Sequence, residues 1–277
     1  MRPRILLPLL TYPDAAPAAA LPRALDLAAT LNAEVTALIH EVDIPPISEP
    51  FANLILDVKA MSDAAEALSR ARGAELAKAV RHQAERIALP LVVETFRDDR
   101  LSGELIAARA RTYDLTILLC QPDSPDQALL EEEALFGSGG PVVVLPADEG
   151  SVHLNTVAIA WDGSRAAARA LRDAIGLLRE AGRVVILTAS EDKPIPPRTI
   201  TDAVAFLAAH EIAAEHRAVP AAGNSTIGDV LQRAALDEDA GLLVMGAYGH
   251  SRMREFVMGG ATKSVLRSPR LPVLMSH

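Results

Sequence analysis

A single cysteine, Cys120, in a chain of 277 residues leaves no partner for an intrachain disulfide and too few thiols for a cysteine-based metal cluster. It stands in the apolar run "DLTILLCQ", where a buried bystander thiol is expected rather than a nucleophile. Positive charge is also short: 27 Lys and Arg against 36 Asp and Glu give a net charge of −9 and a pI near 5.3. Sequence-independent binding to DNA or RNA needs a broad basic surface, so no nucleic-acid partner is expected and any anion site must be local. No uninterrupted run of about 20 apolar residues is present, which argues against a membrane-spanning helix. The start "MRPRILLPLL" has basic residues before a short apolar run, but no small-residue cleavage site follows it. A soluble, cytoplasmic protein is expected.

Several nucleotide and hydrolase signatures are missing as well. In "GGATKS" Thr262 separates the glycines from Lys263, so the segment is not a Walker A loop. No G-x-G-x-x-G follows an expected first strand, no paired Cys/His ligands suggest zinc, and no G-x-S-x-G elbow appears. No catalytic residue and no metal ligand is assigned.

What is present is an internal repeat. "GELIAARARTYDLTILLCQ" from Gly103 lies without gaps on "GDVLQRAALDEDAGLLVMG" from Gly228, setting Asp114 against Asp239 and Gln121 against Gly246. "RILLPLLTYPDA" near residue 4 matches "NTVAIAWDGSRA" near 155, and "GGPVVVLP" at 139–146 parallels "PRLPVLMSH" at 269–277. Two domains follow, 1–147 and 151–277, with the polar "ADEG" at 147–150 between them. In the second copy apolar runs alternate with Ala/Leu-rich stretches at helical spacing. That predicts strands at 155–161, 183–189, 213–219, 241–246 and 271–275, and helices at 164–180, 198–209, 225–237 and 259–267. Alternation of this kind implies parallel strands, right-handed crossovers and helices on both faces. In the first copy, prolines 45, 46 and 50 mark an extra loop over 44–62 with a short helix after it, ahead of a long Ala-rich helix at 62–88.

In such a sheet, ligands sit outside the carboxyl ends of the strands where strand order reverses. Two segments of the second copy fall there. In "WDGS", Asp162 offers acceptors for a ribose or adenine group and Gly163 permits the turn; the same residues also read as an ordinary helix start with Asp162 or Ser164 as cap. The segment "VMGAYGHSRMREFVMGGATKSVL", 244–266, sets Gly246, Gly249 and Gly259 around a basic loop that opens a helix, as a phosphate cradle would. His250, Arg252 and Arg254 also read as a solvated face, and Gly259 and Gly260 as a plain helix start.

The spacing Gly246, two residues, Gly249, nine residues, Gly259, together with "VAIAWDGS" and a terminal "PVLM", resembles the universal stress protein family, and the repeat makes the chain similar to a tandem member. The resemblance covers the second copy over its full length. It implies two tandem five-stranded parallel-sheet α/β domains, Rossmann-like and adenine nucleotide alpha hydrolase-like, with ATP, alone or with Mg²⁺, at the switch point. By position, Asp162 would contact the adenosine, the backbone at Thr188 and Ala189 the adenine, and Met245, Gly246, Gly249, His250 and Gly259 the ribose and phosphate path. Gly260, Ala261 and Thr262 would open the last helix beneath the phosphates. Gly260 stands where the family usually has a Ser or Thr, a loss of one hydroxyl donor worth about 1.5 to 3 kcal/mol.

The first copy has a shortened loop, "QPDSPDQA", followed by "LLEEEALFGSGG". Glu131, Glu132 and Glu133 are expected near the start of its last helix, where carboxylates would satisfy the dipole and repel phosphate; the glycines at 137, 139 and 140 are expected to end that helix. No nucleotide is expected in this half. Three functional classes stay open: a nucleotide-binding stress-response regulator, a non-nucleotide scaffold for dimerisation or partners, and a slow ATPase. In the family, terminal strands pair across a two-fold. "VVVL" at 142–145 is therefore expected against "VLM" at 273–275 as an intrachain pseudo-dimer, with further pairing of chains as a homodimer left open.

Overall fold

The structure is a computed structural model and describes residues 2–45, 57–98, 103–120, 125–147, 152–189, 195–220, 225–247 and 260–277. The first half runs β1 (Arg4–Leu10), α1 (Leu21–Thr30), β2 (Glu34–Val42), α2 (Val58–Arg86), β3 (Leu91–Asp98), α3 (Gly103–Ala110), β4 (Leu115–Leu119), α4 (Pro125–Gly137) and β5 (Val142–Leu145). The second runs β6 (Thr156–Ala160), α5 (Arg165–Asp173), α6 (Ile175–Arg179), β7 (Arg183–Ala189), α7 (Pro197–Ala209), β8 (Ala214–Val219), α8 (Ile227–Asp237), β9 (Leu242–Gly246), α9 (Gly260–Arg267) and β10 (Val273–Ser276).

The central strands are continuous apolar runs because helices cover both of their faces. Alternate residues enter two cores. Val157, Ile159 and Trp161 join Leu171, Leu178 and Leu207 on one face. Ala158 and Ala160 join Met245, Leu231 and Val265 on the other. Strand order is β3-β2-β1-β4-β5-β10-β9-β6-β7-β8, so each half repeats one doubly wound order and the two meet in a single ten-stranded sheet. All pairings within the halves are parallel; β5 and β10 pair antiparallel, Val142 with Met275, Val143 with Leu274 and Val144 with Val273. This is the intrachain seam expected from the terminal strands. Both cores run through it: Val143 and Leu274 lie on one face, Val142, Val144, Val273 and Met275 on the other.

Four expectations need correction. The helix expected over 164–180 is two, α5 and α6, divided at Ala174, whose ψ of −6° departs from the α-helical value. The long helix begins at Val58, where Asp57 caps it by accepting from the Ala60 amide at 3.0 Å, so residues assigned to a preceding short helix already belong to α2; residues 46–56 lie outside the described residues. Glu131, Glu132 and Glu133 are not near a helix start, because α4 begins at Pro125 and they fall in its second and third turns, with Glu131 buried.

The fourth correction concerns the repeat register. Equivalent backbone bonds superpose the halves: the Asp114 amide donates to Arg4 O as the Gly241 amide donates to Thr156 O, and Cys120 to Leu145 O as Ala247 to Ser276 O. The counterpart of Gly246 is therefore Leu119, not Gln121. The second half spends two more residues from Gly228 to Leu242 than the first spends from Gly103 to Leu115, which an ungapped match cannot register.

Candidate functional site

Strand order reverses in the second half between β6 and β9, and both strands end at the same edge of the sheet. Past β6 the chain turns sharply. Asp162 Oδ1 accepts from the Ser164 amide at 2.8 Å, Gly163 takes φ +75°, and Ser164 Oγ caps α5 by accepting from the Ala167 amide at 3.1 Å. An Asx-type turn followed by a serine cap explains why "DGS" starts a helix here. Gly163 is required, since its φ lies in the left-handed region. The Asp162 carboxylate is exposed, with its second oxygen directed to no partner among the described residues.

Gly246 ends β9 directly beneath α5. A Cβ there would stand 2.3 Å from Ala167 N and 2.5 Å from Ala166 C, so glycine is needed for the helix to close onto the strand. This intramolecular reason was not visible in the sequence, where Gly246 read only as room for a ligand. Met245 points into the core at 4% exposure, which leaves its backbone alone for any ligand contact. Thr188 is buried at the end of β7, its hydroxyl 2.9 Å from His216 Nε2 on the neighbouring strand β8. Sequence reasoning missed His216, because only strand pairing brings a residue 28 positions away beside Thr188. Ala189 is half-buried next to it.

On the other side of the edge, Gly260 is the first residue of α9, exposed, and a Cβ at this position would meet nothing within 4 Å. Ala261 and Thr262 follow, half-buried and buried. Gly249, His250 and Gly259 lie outside the described residues. The start of α9 is fixed from α8: a Cβ at Gly228 would stand 2.5 Å from Ala261 O. Asp229 accepts from the Thr226 hydroxyl at 2.8 Å and the Ser264 hydroxyl at 3.1 Å. These hydroxyls, the first foremost, hold the Asp229 carboxyl below its usual range. The structure thus brings Asp162, Thr188, Ala189, Met245, Gly246 and the start of α9 to one edge of the sheet. Among the described residues no group of three or more His, Cys, Asp or Glu side chains could hold a metal ion.

The corresponding edge of the first half is closed. In the register above, Asp162, Thr188 and Gly246 correspond to Leu10, Ile39 and Leu119, all buried. Thr11 donates to His40 O at 2.6 Å and contacts the Ser69 hydroxyl of α2 at 2.6 Å. Arg72 of the same helix donates to Thr11 O at 3.1 Å and to Pro13 O at 2.7 Å, and the buried Arg23 donates to Pro146 O. The long helix α2 therefore covers this edge of the first half.

A twofold-repeated, doubly wound α/β sheet defines a Rossmann-like protein class. Residues 153–277, the second half of the chain, match the model described as Universal stress protein family. A universal stress protein from Archaeoglobus fulgidus DSM 4304 has the same fold over 98% of this chain and 95% of its own, with TM-score 0.69 and 19% identity. A functionally unknown protein from Pseudomonas aeruginosa PAO1 matches 99% of this chain and 92% of its own, with TM-score 0.60 and 16% identity. At these identities the likeness is one of fold. No curated protein matches the chain by sequence. No described helix is long and apolar enough to cross a membrane.

Proposed function

We propose that the second half binds an adenine nucleotide, ATP in the first instance, and that the protein acts as a nucleotide-responsive regulator in a stress response rather than as a dedicated catalyst. The observation that carries this reading is the asymmetry at the reversal point: an exposed carboxylate and a glycine, Asp162 and Gly246, in one half, against buried Leu10 and Leu119 in the other. Asp162 would accept hydrogen bonds from ribose hydroxyls, the backbone at Thr188 and Ala189 would meet the base, and the free N–H groups opening α9 would face phosphate. Mg²⁺, where present, would arrive with the phosphates. Phosphoryl transfer needs an oriented nucleophile as well as charge neutralisation, and among the described residues the carboxylate at the edge, Asp162, is already engaged by the Ser164 amide.

Calorimetric titration with ATP, with and without Mg²⁺, tests the reading. Saturation near one site per chain, abolished by bulky residues at Gly249 and Gly259, is the expected result; no heat and no thermal shift at millimolar ATP overturns it. In that event the second reading, a scaffold without nucleotide, takes over. The observation favouring that reading is that Gly246 is already accounted for by the approach of α5.

A further inference from the structure

The seam reverses chain direction, and that sets the first half against the ligand edge of the second. Val142, the first residue of β5, pairs with Met275 near the end of β10, so the corner joining α4 to β5 lies at the edge where β9 and β10 finish. Two chains of contact cross there. Arg169 of α5 donates from Nη2 to Gly139 O at 2.8 Å, while its Nε holds Asp173 at 2.8 Å. Phe136 of α4 meets the His277 ring edge-on, with centroids 4.8 Å apart. The Nδ1 of that ring lies 3.1 Å from Ala247 O, and the Ala247 amide donates to Ser276 O at 2.8 Å. Ala247 directly follows Gly246, and α5 is the helix whose backbone closes over Gly246. Both elements that flank Gly246 are thus held from across the seam.

We propose that the α4–β5 corner of the first half is a working part of the second half's ligand edge, in which Phe136 and Arg169 act as positioning residues. Phe136 fixes the His277 ring, which in turn fixes the Ala247 carbonyl at the end of β9. Arg169 anchors α5 to the Gly139 carbonyl. The half whose edge α2 covers thereby sets the geometry of the ligand edge in the other, and linkage requires the converse: a ligand that orders the edge also orders the corner. The ligand named here rests on the nucleotide reading; the mechanical coupling does not.

The test uses the full chain and two readouts. Hydrogen exchange without nucleotide follows the amides of Ala247 and of the first turns of α5, whose local opening reports how firmly they are held. In Phe136→Ala the Ala247 amide, and in Arg169→Ala the α5 amides, exchange faster by about fivefold or more, the loss of one net contact of about 1 kcal/mol. Phe136→Tyr and Arg169→Lys restore protection. Arg183→Ala, on the far β7–β8 side of the second half, leaves both segments unchanged. ATP titration of the same variants gives weaker binding at unchanged stoichiometry, again restored by the conservative changes, and ATP slows exchange across Ser138 to Val142. Arg169 is half exposed, so its variants keep the fold even where Phe136→Ala does not. Unchanged exchange in both alanine variants overturns the proposal, as does unchanged ATP affinity when the wild type binds. If the wild type takes up no ATP, the nucleotide reading falls and the exchange data alone decide the coupling.

Discussion

Gly246 and Ala167 approach so closely that a single added methyl at residue 246 would stand 2.3 Å from the Ala167 amide nitrogen. The contact is backbone against backbone, so no side chain can rotate away to relieve it. Gly246→Ala must push α5 off the end of β9. Overpacking of this kind costs about 1 to 3 kcal/mol. The urea midpoint should fall by that free energy divided by the slope, with the slope unchanged, and ATP affinity should fall with it, because the displaced α5 carries the Ser164 cap and the Asp162 turn.

Gly260→Ser makes the opposite prediction. A Cβ there meets nothing within 4 Å, so the substitution carries no steric cost. It places a hydroxyl at the first position of α9, where one hydrogen bond to a charged group is worth about 1.5 to 3 kcal/mol. ATP affinity measured by calorimetry should rise about tenfold, with the melting temperature of the unliganded protein nearly unchanged. An equal affinity would mean that phosphate does not reach α9.

Asp229 gives a pH dependence. Its carboxyl is held below the usual value chiefly by the Thr226 hydroxyl, helped by Ser264. A folded pKa below the unfolded one, about 3.9 for Asp, means stability that is present above that value and lost as pH falls through the folded pKa. Asp229→Ala should therefore melt below the wild type at pH 7, and the gap should close on acidification below about pH 4. A gap that persists in acid would assign the effect to packing of α8 on α9.

Cys120 is buried, and burial first, then the neighbouring Glu131 carboxylate, pushes its thiol up to about 12. The thiolate is the reactive form. A thiol reagent at pH 8 should leave the native protein unlabelled and label one group per chain in denaturant.

The sequence made the tandem sheet legible because each strand is a short apolar run between helix-patterned segments. The seam was expected only from the resemblance to the universal stress protein family, since the apolar pattern marks the last strand of each half but not that the two would pair. The start of α4 was within reach too: Pro125 occupies the first helical position, where its fixed φ is favourable and no amide is needed. Reading "QPDSPDQA" only as a shortened loop hid that signal and misplaced Glu131 by two turns. The two-residue offset that set Gln121 rather than Leu119 against Gly246 arises within the helix: the links from α3 to β4 and from α8 to β9 are equal in length, and α8 is the longer helix, a difference that Ala/Leu periodicity does not mark. At the site, Asp162 and Gly163 could be read from turn chemistry. The fit of Gly246 under Ala167, the Thr188–His216 pair and the reach of Arg169 to Gly139 could not, since each depends on which strands become neighbours.

The seam also sets a timetable. β5 is complete at Leu145, but its partner strand begins only at Val273, about 130 residues later. At roughly 5 to 20 residues per second of synthesis, the unpaired "VVVL" edge waits about 6 to 26 s for its cover. An open, uncharged strand edge is a template for pairing with other chains. The nascent protein is thus most exposed to misassembly after its first half is built and before its last strand leaves the ribosome, and a chaperone that shields strand edges would act in that interval.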